Sequence, residues 1–194
     1  MAIDLLLQHI ARYISLTAEE TAMVVVPFKE KTIRKKQFLL QEGDIQRQAA
    51  FVVSGCLRSY SIDKNGFEHV LQFAPAGWWI GDMRSLLRQE PSTLSIDAID
   101  DTSLLLITKA DLDALYSSVP SMERFFRQLA ENALATYQHR LVDMLSLPAL
   151  NRYNNFCQTY PSLIEYLPQK QVASYIGVTP EFLSKMLAQE KARK

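Results

Sequence analysis

The stretch Gln169-Lys-Gln-Val-Ala-Ser-Tyr-Ile-Gly177-Val-Thr-Pro180-Glu-Phe-Leu-Ser-Lys185-Met-Leu-Ala-Gln189 reads as two short helices set around a tight turn. Gly177 can adopt the positive φ that such a turn requires. Thr179 is placed as an N-cap, and Pro180 follows at the first helical position, where its missing N–H has no intrahelical partner to lose. Val172, Ile176, Val178, Leu183 and Leu187 make an apolar side, and Ala173 is small where the two helices meet. The opposite face displays Thr179, Glu181, Ser184, Lys185 and Gln189. This is the pattern of a helix-turn-helix, whose second helix carries groups able to meet base edges and phosphates in a DNA major groove. An αα-hairpin that only packs is the competing reading.

Upstream of this motif, Ala149 to Tyr160 reads as another short helix closed by Pro161. Before Pro148 runs a much longer one. From the Pro120 start signal, Met122, Phe125, Phe126, Leu129, Ala133, Tyr137, Leu141, Met144 and Leu145 recur at steps of three and four with no Gly or Pro between them. Such a helix spans roughly 35 to 40 Å, longer than one side of a small β domain. Part of its stripe therefore needs another partner, and a second copy of the same helix is the economical one.

From Thr32 to about Thr108 the period shortens to that of strands: Phe38 to Leu40, Ala50 to Val53, Cys56 to Ile62, Phe67 to Phe73, Ser95 to Ala98 and Ser103 to Thr108. Five of the six glycines, Gly43, Gly55, Gly66, Gly77 and Gly81, fall between these runs, as expected of turns and close backbone approaches. Asp63-Lys-Asn-Gly66 is a hairpin signal. Six or more closely spaced strands predict a sandwich or barrel. Ahead of them, Leu6, Ile10 and Ile14 fall at helical spacing, and Thr17-Ala-Glu-Glu20 reads as a capping box.

The 194 residues are 48% hydrophobic and 22% charged, which excludes a disordered or fibrous chain and permits one large and one small domain. No apolar run approaches the ~18 residues of a membrane span. Asp4, His9 and Arg12 interrupt the N-terminal apolar residues, so no secretion signal is read and a cytoplasmic protein is expected. Cys56 and Cys157 lie too far apart for a metal pair and read as two buried thiols. The 21 basic and 21 acidic residues cancel, yet residues 148–194 hold six basic against three acidic side chains. A small nucleic-acid-binding unit on a neutral body fits that asymmetry.

A glycine-punctuated β domain, a long helix and a C-terminal helix-turn-helix, in that order, resemble the Crp/Fnr family of bacterial transcription regulators. The matching pieces are Gln41-Glu-Gly-Asp44, Phe51-Val-Val-Ser-Gly-Cys-Leu-Arg-Ser-Tyr60, Gly66-Phe-Glu68, Gly77-Trp-Trp-Ile-Gly-Asp82 and the Val172 to Leu187 motif. The resemblance implies a cyclic-nucleotide-binding jelly roll, a homodimer along the long helix, and sequence-specific binding to palindromic double-stranded DNA. It also carries the roles of cap, glutamate and basic reader onto Thr179, Glu181 and Lys185. Pro180 stands where relatives often use a basic or polar side chain.

The departures from the family matter for the effector. Cyclic-AMP-binding relatives follow Gly-Glu and a short helix with an arginine that neutralises the cyclic phosphate bidentately. Here Gly81-Asp82-Met83-Arg84-Ser85 follows the scaffold, but the arginine position reads Ser92, before Thr93. Burying a phosphate without a paired cation costs several kcal/mol, so cyclic AMP is disfavoured. Arg84 and Arg88 read as solvated on the short helix.

Phe73, Trp78, Trp79 and Tyr137 either line an apolar effector pocket or are plain core. No N-terminal cysteine cluster suits an iron–sulfur centre, and His9, His69 and His139 are isolated, so no haem, metal or other cofactor is expected. The run Arg34-Lys35-Lys36 reads as a solvated strand edge. Neither a nucleophile elbow nor a phosphate-binding glycine loop occurs, which argues against an enzyme.

The expected fold is therefore α+β: a β jelly roll over residues 1–116, a dimerisation helix over 117–147, and a helix-turn-helix over 148–194. The expected DNA-contacting residues are Gln169, Thr179, Pro180, Glu181, Ser184, Lys185 and Gln189. Candidate effector-pocket residues are Phe73, Gly81, Asp82, Met83, Arg84, Ser85, Ser92, Thr93 and Tyr137. A small-molecule sensor acting through protein partners, with a vestigial DNA-binding unit, is the alternative.

Overall fold

The computed structural model describes residues 2–193, which form two compact units: residues up to 62 with 71–131, and residues 63–70 with those from 132 onward. The first unit opens with α1 (Ala2–Ile10) and α2 (Ala18–Val25). The capping box before α2 is formed: Thr17 Oγ1 accepts from the Glu20 N–H at 3.1 Å, and the Glu20 carboxylate accepts from the Thr17 N–H at 2.8 Å.

Eight strands follow: β1 (Lys29–Ile33), β2 (Phe38–Leu40), β3 (Gln48–Ser54), β4 (Cys56–Ile62), β5 (Glu68–Pro75), β6 (Trp79–Ile80), β7 (Ser95–Ala98) and β8 (Thr102–Thr108). They make two four-stranded sheets, β1-β8-β3-β6 and β2-β7-β4-β5. Short helix α3 (Met83–Arg88) stands between β6 and β7, and α4 (Lys109–Ser118) leads into α5 (Pro120–Ser146).

Alternation along the strands makes two separate cores. Ala50 and Val52 of β3 join Leu104 and Leu106 of β8 and Leu57, Ile96 and Ala98 of the other sheet. Phe51, Leu105 and Ile107 point the other way, into a cluster with Leu6 and Ile10 of α1, Leu112 and Leu115 of α4, and Met122 and Phe125 of α5. The β1-β8-β3-β6 sheet is thus covered on both faces. In register across β4 and β7, Arg58 and Asp97 form a buried bidentate pair, Nε to Oδ1 at 2.7 Å and Nη2 to Oδ2 at 3.0 Å.

The sequence reading differs from the structure in detail. Strand β1 starts at Lys29, before Thr32, because backbone pairing with β8 holds an otherwise polar and exposed run. Two-residue β6 is too short to leave a period. Arg34 to Lys36 form a turn beyond β1 rather than a strand edge, with Lys36 at φ 68°. Gly43, Gly55, Gly66 and Gly77 have positive φ, whereas Gly81 has not and is close-packed instead. Cys56 is buried and Cys157 only half-buried.

The second unit holds the tip of the β4–β5 hairpin, the rest of α5, α6 (Ala149–Thr159), α7 (Gln169–Ile176) and α8 (Pro180–Arg193). Phe156, Tyr160 and Tyr175 pack as a three-ring cluster with centroids 5.3 to 5.6 Å apart. Leu163, Leu167, Val172, Ala173, Ile176 and Leu183 are also buried.

His9 of α1 lies among the rings of Tyr13, Phe51 and Phe125, and its Nε2 has no hydrogen-bond partner among the described residues. Burial first, and the Arg12 charge second, lower its pKa. The neutral ring is therefore the folded form, and the unfolded chain binds its proton more readily. This contribution to stability is complete above the ordinary histidine range and is lost as pH falls below about 6.5. Thermal melts should show His9→Phe losing less stability than wild type between pH 7 and pH 5; parallel losses would contradict this placement.

Candidate nucleic-acid interface and effector cassette

The turn between α7 and α8 is built from backbone geometry. Gly177 takes the left-handed conformation (φ 71°, ψ 44°), and the Val178 N–H returns to the Ala173 carbonyl at 3.0 Å. A Cβ at Gly177 would come within 2.8 Å of Met144 Cε. Thr179 Oγ1 then accepts from the Phe182 N–H at 3.2 Å and caps α8, which begins at Pro180.

Leu183 is fully buried, which fixes the rotation of α8 and leaves Thr179, Glu181, Ser184, Lys185 and Gln189 exposed. Pro180 is half-buried. Gln169, at the start of α7, is exposed and accepts from Ser184 Oγ through its Oε1 at 2.9 Å. All seven expected contact residues thus lie on the two helices and their turn. Phe182 is a further member of the exposed set that the reading of polar positions passed over.

A second arrangement in this unit had no local sequence signal. Ser174 of α7 donates Oγ to the Glu68 carbonyl at 2.6 Å and accepts from the Val70 N–H at 2.9 Å. Arg140 of α5 donates Nη2 to the carbonyls of Val70 (2.9 Å) and Tyr175 (2.7 Å), with its guanidinium 3.8 Å from the Tyr175 ring centre. Polar side chains on two helices thereby satisfy backbone groups at the hairpin tip.

The expected effector residues are brought together only in part. Asp82 is buried and caps α3, its Oδ1 accepting from Arg84 N (2.9 Å) and Ser85 N (3.2 Å), while Oδ2 accepts from Ser92 Oγ at 2.7 Å. Ser85 is buried, and its hydroxyl donates to the Glu90 carbonyl. Gln46, which no motif marked, is buried beside them: its Oε1 accepts from the Asp82 N–H, and its side chain occupies the space where a Cβ at Gly81 would stand. Met83 and Thr93 are exposed. Phe73 is fully buried on β5, in the sheet that does not contain β6, and Tyr137 belongs to the second unit.

The fit of this cassette to a cyclic phosphate is poor. Its buried charge is the Asp82 carboxylate, already supplied with three donors, and an added phosphate would set two anions together. Arg84 turns outward to Glu90 at 3.2 Å with its side chain 63% exposed, and Arg88 is exposed as well. Neither arginine supplies a buried cation.

Two substitutions test these local accounts by urea unfolding. Asp82→Ala removes the α3 cap and should cost about 1–2 kcal/mol, while Arg84→Ala stays within about 0.5 kcal/mol. Gly177→Ala should cost about 1–2 kcal/mol through its left-handed backbone. An unchanged midpoint for Asp82→Ala or Gly177→Ala would contradict the corresponding geometry.

Comparisons with known proteins agree with this architecture. Residues 30–119 match the cyclic nucleotide-binding domain family. The chain is 25% identical over 170 residues to an anaerobic regulatory protein of Aggregatibacter actinomycetemcomitans, covering 82% of this chain and 65% of that one. It is also 25% identical over 170 residues to the fumarate and nitrate reduction regulatory protein of Vibrio cholerae, covering 82% and 67%. The chain thus spans about two-thirds of the length of these relatives.

Among solved structures, FixK2 from Bradyrhizobium japonicum superposes with a TM-score of 0.74 at 20% identity, over 86% of this chain and 85% of that one. The catabolite activator protein of Thermus thermophilus gives 0.59 at 23% identity, over 93% and 86%. These two likenesses show the fold. Residues 30–119 thus carry a cyclic nucleotide-binding domain, and the chain as a whole is similar in sequence and in fold to regulators of the Crp/Fnr type.

Proposed function

We propose that the protein is a homodimeric, sequence-specific DNA-binding transcription regulator that reads DNA with α8. The observation that carries this reading is the exposed face of α8, with Glu181, Ser184, Lys185 and Gln189 held outward by the burial of Leu183 and the left-handed turn at Gly177. Those groups can hydrogen-bond base edges and phosphates, and the N-terminal turn of a recognition helix is the part that enters the major groove. The regulatory proteins to which the chain is similar support the same reading.

Dimerisation follows from α5. Met122 and Phe125 are buried, but Leu134, Leu141 and Leu145 are 59%, 59% and 80% exposed, and Tyr137 and Val142 are exposed beside them. Leu134, Tyr137, Leu141 and Leu145 recur at steps of three and four and make one face. Pairing with the same face of a second copy removes it from water and sets two α8 helices for successive major grooves, about 34 Å apart. A small effector acting through the β roll would work by changing that pairing. Cyclic AMP is not that effector, because the cassette around Asp82 lacks a buried cation. The domain roles that accompany this reading are β roll over 1–116, dimerisation helix over 117–147 and DNA-reading unit over 148–194.

Selection of duplexes from random sequence followed by electrophoretic shift tests the reading. Lys185→Ala should weaken binding to the selected duplex by about fivefold to a hundredfold, whereas Lys64→Ala, on the exposed hairpin tip, should leave it unchanged. Equal affinities would remove Lys185 as a reader. No enriched sequence would favour a sensor that acts through protein partners.

Sedimentation supplies an independent check of the dimer. The wild-type chain should run as a dimer at micromolar concentration and Leu141→Glu as a folded monomer; a monomeric wild type would contradict the role given to α5.

A further inference from the structure

Phe182 is the anomaly on the proposed reading face. It is the third residue of α8, its N–H donates to Thr179 Oγ1, and its side chain is 52% exposed while the next residue, Leu183, is fully buried. It stacks on no other ring among the described residues. Its exposed neighbours are Glu181, Ser184 and Lys185, so a large apolar ring stands among polar groups in the first turn of the helix.

A phenyl ring offers no hydrogen bond to a phosphate or to a base edge. The apolar group that base pairs present in the major groove is the thymine C5-methyl, and contact with an apolar side chain is the way a protein reads it. We propose that Phe182 reads a thymine methyl group in each half-site and so is a specificity-determining residue of this protein. The assignment rests on the DNA-binding reading above and adds to it the identity of one base. Lys185 stands one turn further along the helix at i+3, so the thymine lies beside the base pair or phosphate that Lys185 contacts.

Deoxyuridine differs from thymidine by that methyl alone, which separates this inference from the reading beneath it. The full-length protein is used with the duplex obtained by selection, and each thymidine of the half-sites is replaced in turn by deoxyuridine. Fluorescence anisotropy should show one position per half-site where wild type loses about fourfold in affinity, and about 15-fold when both half-sites are changed. Phe182→Ala should bind the thymidine and deoxyuridine duplexes equally, and Phe182→Leu should keep part of the discrimination. Because the ring is exposed, both variants should melt with wild type by circular dichroism.

Wild-type indifference to deoxyuridine at every position would overturn the inference while leaving DNA binding intact. So would undiminished discrimination by Phe182→Ala, or selected half-sites with no invariant thymine. Failure to enrich any duplex would overturn the DNA-binding reading and this inference with it.

Discussion

One helix of 27 residues carries two incompatible environments. At its start, Met122 and Phe125 are sealed among α1, α4 and the β1-β8-β3-β6 sheet. Further along, Leu134, Leu141 and Leu145 stand in water. Apolar area left exposed forgoes about 25 cal/mol per Å², and a helix has no local means of recovering it. No Gly or Pro interrupts the chain from Ser121 to Leu147, so the sequence itself offers no break in the helix. An exposed face on a stiff element favours association with an equal face, and twofold pairing presents any surface carried beyond it in duplicate.

The β roll is internally satisfied where a ligand site would be sought. Asp82 carries out three structural tasks: it caps α3 through two N–H groups, receives the Ser92 hydroxyl, and offers its own N–H to Gln46. Replacing any of these bonds with a ligand would require the ligand to match them, because a buried group left unpaired costs about 1–3 kcal/mol. The scaffold around Asp82 is therefore held together by its own polar groups. At the other end of the chain the logic reverses. Among the described residues the side chains of Glu181 and Lys185 have no hydrogen-bond or ion-pair partner, so these two groups can meet a ligand without first breaking bonds, whereas Ser184 is held by Gln169.

What was legible in the sequence is what local chemistry determines. Gly177, Thr179 and Pro180 fix the turn between α7 and α8 through backbone geometry confined to three or four residues, and Asn65-Gly66 does the same for the β4–β5 hairpin. The long period of α5 was equally visible, but not where along it burial stops, since that depends on which elements reach it in three dimensions. Strand β1 was blurred because four of its five residues are exposed and polar. Gln46 and Ser174 were hidden for a related reason: each satisfies groups far off in sequence, 36 residues away for Gln46 and about 105 for Ser174. Phe182 is apolar, so nothing in its residue type marks it as surface, and only the fold shows that it stands exposed.

Hydroxyl-radical footprinting of the full-length protein on its selected duplex tests the central claim, that paired α5 helices offer two copies of the α8 face to one side of DNA. The account predicts two protected tracts centred about one helical turn, ~10 base pairs, apart on the same face of the duplex. A single tract, or protection without regular spacing, would contradict it.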